Sequence, residues 1–155
     1  MTELILAVFG SFIAIIGFAV LIETPWKYVP QAGIAGACGG GVYFFSAQSG
    51  LDVVMASFLS ALVISLLAHI FARVFKAPVT VFLIAGILPT VPGAGMYRTV
   101  YYMIADDRTH AAYYLVQTLE IAGVIALAVF LMDTLFRIRP GRYVRRPGNA
   151  GGDRS

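Results

Sequence analysis

Apolar positions in this chain neither alternate with period two nor gather on one face of a helix; they run on without charge for about the thickness of a bilayer. Leu4–Ile22 is 19 residues without a charged side chain. Val53–Ala72 is 20 residues whose only titratable group is His69. Thr109–Met132 carries one acid, Glu120, and one imidazole, His110. A helix needs roughly 20 apolar residues to cross a hydrocarbon core, so each run predicts a transmembrane helix. Tyr28–Leu51 is uncharged but rich in Gly and Ala, and Ala77–Tyr97 is uncharged but broken by prolines. The pattern predicts an all-α integral membrane protein, a bundle of about five spans over 4–22, 29–50, 53–72, 78–104 and 111–136. The fourth is broken at a Pro/Gly motif. A four-span bundle is the alternative, if Tyr28–Leu51 does not cross.

The weakly apolar second run needs a different explanation from the others. Gly36 and Gly40 are four apart and share a helix face, as do Gly10, Ala14 and Gly17 in the first run. Small residues at this spacing let backbones approach closely in lipid. Both stripes therefore read as packing faces, and Cys38, within the Gly/Ala run, as a small packing residue.

Composition agrees with a lipid environment. Hydrophobic residues make up 59 % of the 155 and charged residues 12 %, against roughly 25 % charge in soluble chains. The mean hydropathy is +0.85. The first run lacks a basic n-region and a cleavage site and is longer than a signal-peptide core, so it reads as a retained helix. The net charge of +3 is unevenly spread. Lys27, Arg73, Lys76 and the six arginines from Arg137 onward fall on one side of a five-span arrangement, with Arg98 and Arg108 on the other. Basic residues stay cytoplasmic, which puts the N-terminus outside and the C-terminus inside. The transmembrane domain is expected over 1–139, followed by a basic, disordered cytoplasmic tail over 140–155. A basic tail directly after a span sets topology, so no nucleic-acid partner is expected. One cysteine and no Cys/His cluster exclude an internal disulfide and a metal box. No cofactor is expected.

Candidate chemistry sits at "LPTVPGAGMYR", Leu88–Arg98. Pro89 and Pro92 remove two backbone donors within four residues, and Gly93 and Gly95 add conformational freedom. The segment reads as half-helix, break, half-helix. Broken backbone at membrane depth survives only where protein or water surrounds it, and in secondary transporters such breaks form solute sites. Arg98 is expected in the first turn of the second half-helix, with Tyr97 and Tyr101 beside it, so this corner suits a carboxylate. The alternative is a proline kink with an Arg98 that snorkels to the interface.

Helical spacing places Tyr113, Gln117, Glu120 and Val124 on one stripe. An acid in a span faces a bundle interior, a partner or water. Glu120 is therefore the candidate proton-coupling residue, with Arg98 as a possible partner. His69 reads as a hydrogen-bonder near a helix end, Asp133 and Arg137 as an i,i+4 pair, and Asp52 as a helix N-cap. No nucleophile–base pair or phosphate loop is present, so the chain does not read as an enzyme.

The stretch Pro78–Met103 resembles the threonine/serine exporter family, specifically its shorter, C-terminal-type module, which occurs alone as a small, YjjB-type subunit. The family pattern has a Pro-rich break of the form P-G-I-x-P-L-V-P-G. Pro89, Pro92 and Gly93 match it residue by residue, while Ala85 replaces the first proline and Thr90 the leucine. The resemblance implies a bacterial inner-membrane efflux component. It implies export of small carboxylate-bearing metabolites, threonine/serine-like amino acids or small dicarboxylates, driven by protons. It further implies a larger membrane subunit as partner, within a homo- or hetero-oligomer. The competing reading is a non-transporting scaffold that stabilises such a partner. A polar cavity at 89–95 separates the two from a dry, packed break.

Overall fold

The structure is a computed structural model that describes residues 2–137; the basic tail expected over 140–155 lies outside the described residues. Every regular element described is helical. The order is α1 (Thr2–Leu21), a 3₁₀ turn (Trp26–Tyr28), α2 (Val29–Gln48), α3 (Val53–Phe75), α4 (Val79–Ile87), a second 3₁₀ turn (Leu88–Thr90), α5 (Gly93–Ile104) and α6 (Arg108–Arg137). Among the described residues, α1, α3 and α6 are long and apolar enough to cross a membrane by themselves.

Local chemistry sets the boundaries. Asp52 caps α3, its Oδ2 accepting from the Val54 amide at 3.3 Å. Lys76 ends α3 in the left-handed conformation, φ 52°, and Pro78 two residues later cannot continue it. Asp107 accepts from the His110 amide at the start of α6, at 3.1 Å. That bond, with a second to the His110 ring, holds the Asp107 carboxyl below its ordinary range.

The interior is built from small side chains. α3 buries Ala56, Ser57, Ser60, Ala61, Ser65, Ala68 and Ala72, with Ile64 and His69 as the large residues among them. α2 lies between α1 and α3 and is closely approached by both. A Cβ at Gly36 would overlap Ile15 of α1, and one at Gly39 would overlap Ile64 of α3. The Gly36/Gly40 stripe is thus a packing face. The Gly10/Ala14/Gly17 stripe is not: all three are exposed, with nothing near a Cβ built at Gly10 or Gly17. α1 packs instead through Ser11, Phe12, Ile15 and Ile16, the neighbours of the α2 glycines. Cys38, expected to pack, is exposed as well.

This difference gives a direct test. Gly36→Ala is expected to destabilise the fold by about 1–3 kcal/mol, the usual cost of overpacking. Gly10→Ala and Gly17→Ala are expected to leave the melting temperature in detergent unchanged or slightly raised. Equal melting for all three would show that α1 and α2 do not pack as described.

α1 and α2 run antiparallel, α2 and α3 antiparallel, and α3 and α6 parallel. The last follows from Arg73 Nη2, which donates to the Phe136 carbonyl at 2.8 Å and brings the two C-terminal ends together. Lys27, Arg73, Lys76 and Arg137 consequently share one end of the bundle, called here the basic end. α4 starts at that end, held by Phe82, which is fully buried and packs edge-on to Tyr28 at 5.4 Å and Phe71 at 5.9 Å. α5 finishes at the opposite end, the one where α1 begins, and packs on α6. The segment α4–break–α5 therefore runs from one end of the bundle to the other.

Candidate functional site

The break is a consequence of its prolines. Pro89 offers no N–H to the carbonyl of Ala85, and α4 tightens into the 3₁₀ turn Leu88–Thr90. Val91, placed before Pro92, takes the extended conformation that such a position favours, φ −61° and ψ 131°. Before the break α4 is regular through Ala85. Ala85 is fully buried against the α1–α2 core.

α5 then starts without a side-chain cap, because its N-cap residue is Pro92. The first turn of any helix has amides with no intrahelical acceptor. Here those of Ala94 and Gly95 belong to residues that line a cavity of about 700 Å³. The cavity lies in the half of the bundle away from the basic end. Its walls are α1 at Gly10 and Ser11, α2 at Gly40 and Tyr43, α3 at Ser57, the break itself, and α6 from Tyr113 to Ile121. Gly95 is fixed by the close approach of α6, where a Cβ would overlap the Thr118 hydroxyl.

Arg98 also lines the cavity, with its guanidinium 5.3 Å from the centre of the Tyr114 ring. The Tyr114 ring continues into a stack, parallel to Tyr102 at 5.5 Å, which in turn stacks on His110 at 5.1 Å. The guanidinium therefore has a fixed aromatic support. Among the described residues lining the cavity, Arg98 carries the only full charge.

The hydroxyls complement these donors. Ser57 donates to the Val53 carbonyl at 2.8 Å, Thr90 to Ile87 at 2.6 Å and Thr118 to Tyr114 at 2.6 Å. With their protons turned back into their own helices, these oxygens offer lone pairs. The cavity thus holds strong donors at the α5 terminus and neutral acceptors elsewhere on its wall.

Of the residues expected from the sequence, Pro92, Gly93, Gly95 and Arg98 line this cavity, Arg98 from the second turn of α5 and not the first because the helix already starts at Gly93, and Pro89 belongs to the 3₁₀ turn before the break. Tyr97 and Tyr101 do not line it. Both are exposed and stack on each other at 6.3 Å, because the helical period that turns Gly95, Arg98 and Tyr102 toward α6 carries them off that face. Glu120 is likewise exposed and outside the lining, although Tyr113 and Gln117 of its expected stripe are inside. The step of three from Gln117 rotates Glu120 past the edge of the wall. No ion pair joins it to Arg98 among the described residues. The acceptor residues Ser57, Thr90 and Thr118 were not singled out from sequence.

At the basic end, Asp133 Oδ2 accepts from Arg137 Nε at 2.8 Å, the i,i+4 pair expected. His69 is buried, and its Nδ1 lies 2.8 Å from the Ser65 carbonyl.

The family model described as "Threonine/Serine exporter, ThrE" matches residues 7–135. That interval contains all six helices except the first residues of α1 and the last of α6. No solved structure matches the chain.

Proposed function

Because the chain belongs to the threonine/serine exporter family, a family of membrane transporters and not of enzymes, we propose that it is the small subunit of a proton-driven exporter whose solute site is the cavity at the break. The solute is a small amino acid of the threonine/serine type. The observation that carries this reading is the pairing of unlike surfaces in one cavity. The uncapped α5 terminus and Arg98 suit a carboxylate. The lone pairs of Ser57, Thr90 and Thr118 suit an ammonium or a solute hydroxyl. A small dicarboxylate would leave its second charge facing those lone pairs, so the amino acid is the better fit.

The chain crosses a bacterial inner membrane five times, N-terminus outside. α2 crosses despite its weak hydropathy because its glycine face is covered by α1 and α3. The cavity then opens in the outer half of the bundle. A scaffold without transport would have a dry, packed break; the cavity favours transport.

Glu120 couples the proton in this reading. It lies on a face of α6 that no other described part of the chain covers, and a carboxylate at mid-span is costly in lipid. The larger partner subunit covers it and completes the coupling site. Glu120→Gln is expected to abolish gradient-driven export while solute exchange at equal pH persists. Normal export by that variant would remove Glu120 from the mechanism.

The reading as a whole is tested in vesicles. Radiolabelled threonine efflux is measured with this chain alone, with the larger subunit alone, and with both. Gradient-dependent efflux with both and with neither alone is expected. Efflux from the larger subunit alone, unchanged by adding this chain, would make this chain a scaffold.

A further inference from the structure

A buried, titratable cluster at the basic end has no part in the solute cavity. His69 is 5 % exposed. Its Nδ1 lies 2.8 Å from the Ser65 carbonyl, which can only accept, so Nδ1 carries a hydrogen. In the neutral ring Nε2 is then a lone pair, and it points across to α6, 3.7 Å from Asp133 Oδ1. A lone pair facing a carboxylate is repulsive. A proton on Nε2 turns the same geometry into an imidazolium–carboxylate contact. The ring is held for this by stacking on Phe136, 4.7 Å between centroids.

The neighbourhood is otherwise simple. From α6, Asp133 faces the ring, and the exposed Arg137 donates through Nε to Asp133 Oδ2 at 2.8 Å. From α3 itself, Arg73 lies one turn on and donates to the Phe136 carbonyl. α4 has no titratable side chain, and α2 has Cys38 and Tyr43, the first exposed and the second at the solute cavity. Asp133 is thus the acid that meets the ring among the described residues.

Position gives the cluster a role. Ser57, Ala61, Ser65, His69 and Arg73 follow one i,i+4 row along α3. Ser57 lines the cavity together with Thr118 and Ile121 of α6, while His69 and Arg73 meet Asp133 and Phe136 of α6. Between these ends the row is buried, and the Ser65 hydroxyl has no hydrogen-bond partner there. The seam between α3 and α6 is therefore packed shut from the cavity to the basic end.

We propose that His69 and Asp133 form a proton-binding latch that holds the α3–α6 seam shut at the basic end, the closed half of the solute path. A proton from water at that end adds to Nε2, the Nδ1–H bond to Ser65 is kept, and α3 is drawn to α6. Loss of the proton restores the repulsion and loosens the seam, whose ends are then joined by Arg73 at the Phe136 carbonyl. The assignment of the seam to the solute path rests on the transport reading; the proton-dependent contact does not.

The experiment uses the full chain in lipid nanodiscs, with the proton as the only ligand. ¹⁵N-histidine NMR follows the rings, and His110→Gln assigns the second of the two histidines. Spin labels at Val74 and Leu135, both exposed near the basic end, report the α3–α6 distance. His69 is expected to change from the Nδ1–H tautomer to imidazolium as pH falls, with the label distance shortening in step. Asp133→Asn is expected to leave the label distance unchanged across the same pH range. His69→Gln is expected to show one distance at all pH values. A His69 signal that stays in one form at all pH values overturns the latch, as does a label distance that changes with pH in Asp133→Asn or His69→Gln as it does in the wild type. Neither readout requires solute or export, so failure here leaves the exporter reading standing, and failed export leaves the latch standing.

Discussion

Arg98→Gln is expected to raise the half-saturating concentration of threonine for export by about 10- to 150-fold, with the maximal rate little changed. The range follows from the roughly 1.5–3 kcal/mol of a hydrogen bond to a charged group, at about 1.4 kcal/mol per factor of ten. The effect falls on affinity because Arg98 sits beside the α5 terminus as a fixed partner for a carboxylate in every bound state. Arg98→Lys keeps the charge but loses the planar contact with the Tyr114 ring. Its deficit should lie between wild type and the glutamine variant. An amino alcohol, which has the ammonium and hydroxyl of the solute but no carboxylate, supplies the control. Wild-type protein should discriminate strongly against it, and Arg98→Gln should lose most of that discrimination. Threonine affinity unchanged in Arg98→Gln would move the anion site off α5.

What could be read from sequence divides along physical lines. Long uncharged runs and a proline pair are consequences of lipid and of a missing N–H, and both act locally. The helical class and the interruption before Arg98 followed from them. Which face of a helix meets another is not local. Gly10/Ala14/Gly17 and Gly36/Gly40 have the same spacing, yet one stripe is bare and the other is filled by Ile15 and Ser11 of a neighbouring helix. The bulky residues that decide between them belong to another segment. The same limit applied to Glu120. The rotation of α6 is fixed by Thr118, Ile121 and Ala128, which are buried. With those inward, Tyr113 and Gln117 reach the cavity and Glu120 does not. Arg98 at the cavity wall was legible because a lone cation in an otherwise uncharged, broken segment stands out wherever the helix points. The acceptors opposite it were not, because Ser and Thr in apolar helices serve packing as often as binding.

Replacing both prolines, Pro89→Ala with Pro92→Ala, is expected to reduce export to background while leaving the protein folded. Proline in a helix interior costs about 3 kcal/mol relative to alanine, so removing two favours one continuous helix from Val79 to Ile104. Gly93 and Gly95 oppose that change by roughly 1 kcal/mol each, less than the prolines contribute. Once the helix is continuous, the amides of Ala94 and Gly95 bond to the carbonyls of Thr90 and Val91, four residues back. They cease to be donors for a carboxylate, and Val91 leaves the extended conformation that opens the break. The site then fails at its source even though Arg98 is untouched. Pro92→Ala alone should account for most of the loss, because Pro92 is the N-cap of α5 and sets the conformation of Val91. Two measurements together decide the matter. Amide exchange at Ala94 and Gly95 should slow in the double variant, and threonine efflux should fall with it, while the melting temperature holds or rises. Slowed exchange with export intact would mean that the broken helix binds nothing, and the transporting role of the cavity would have to be abandoned.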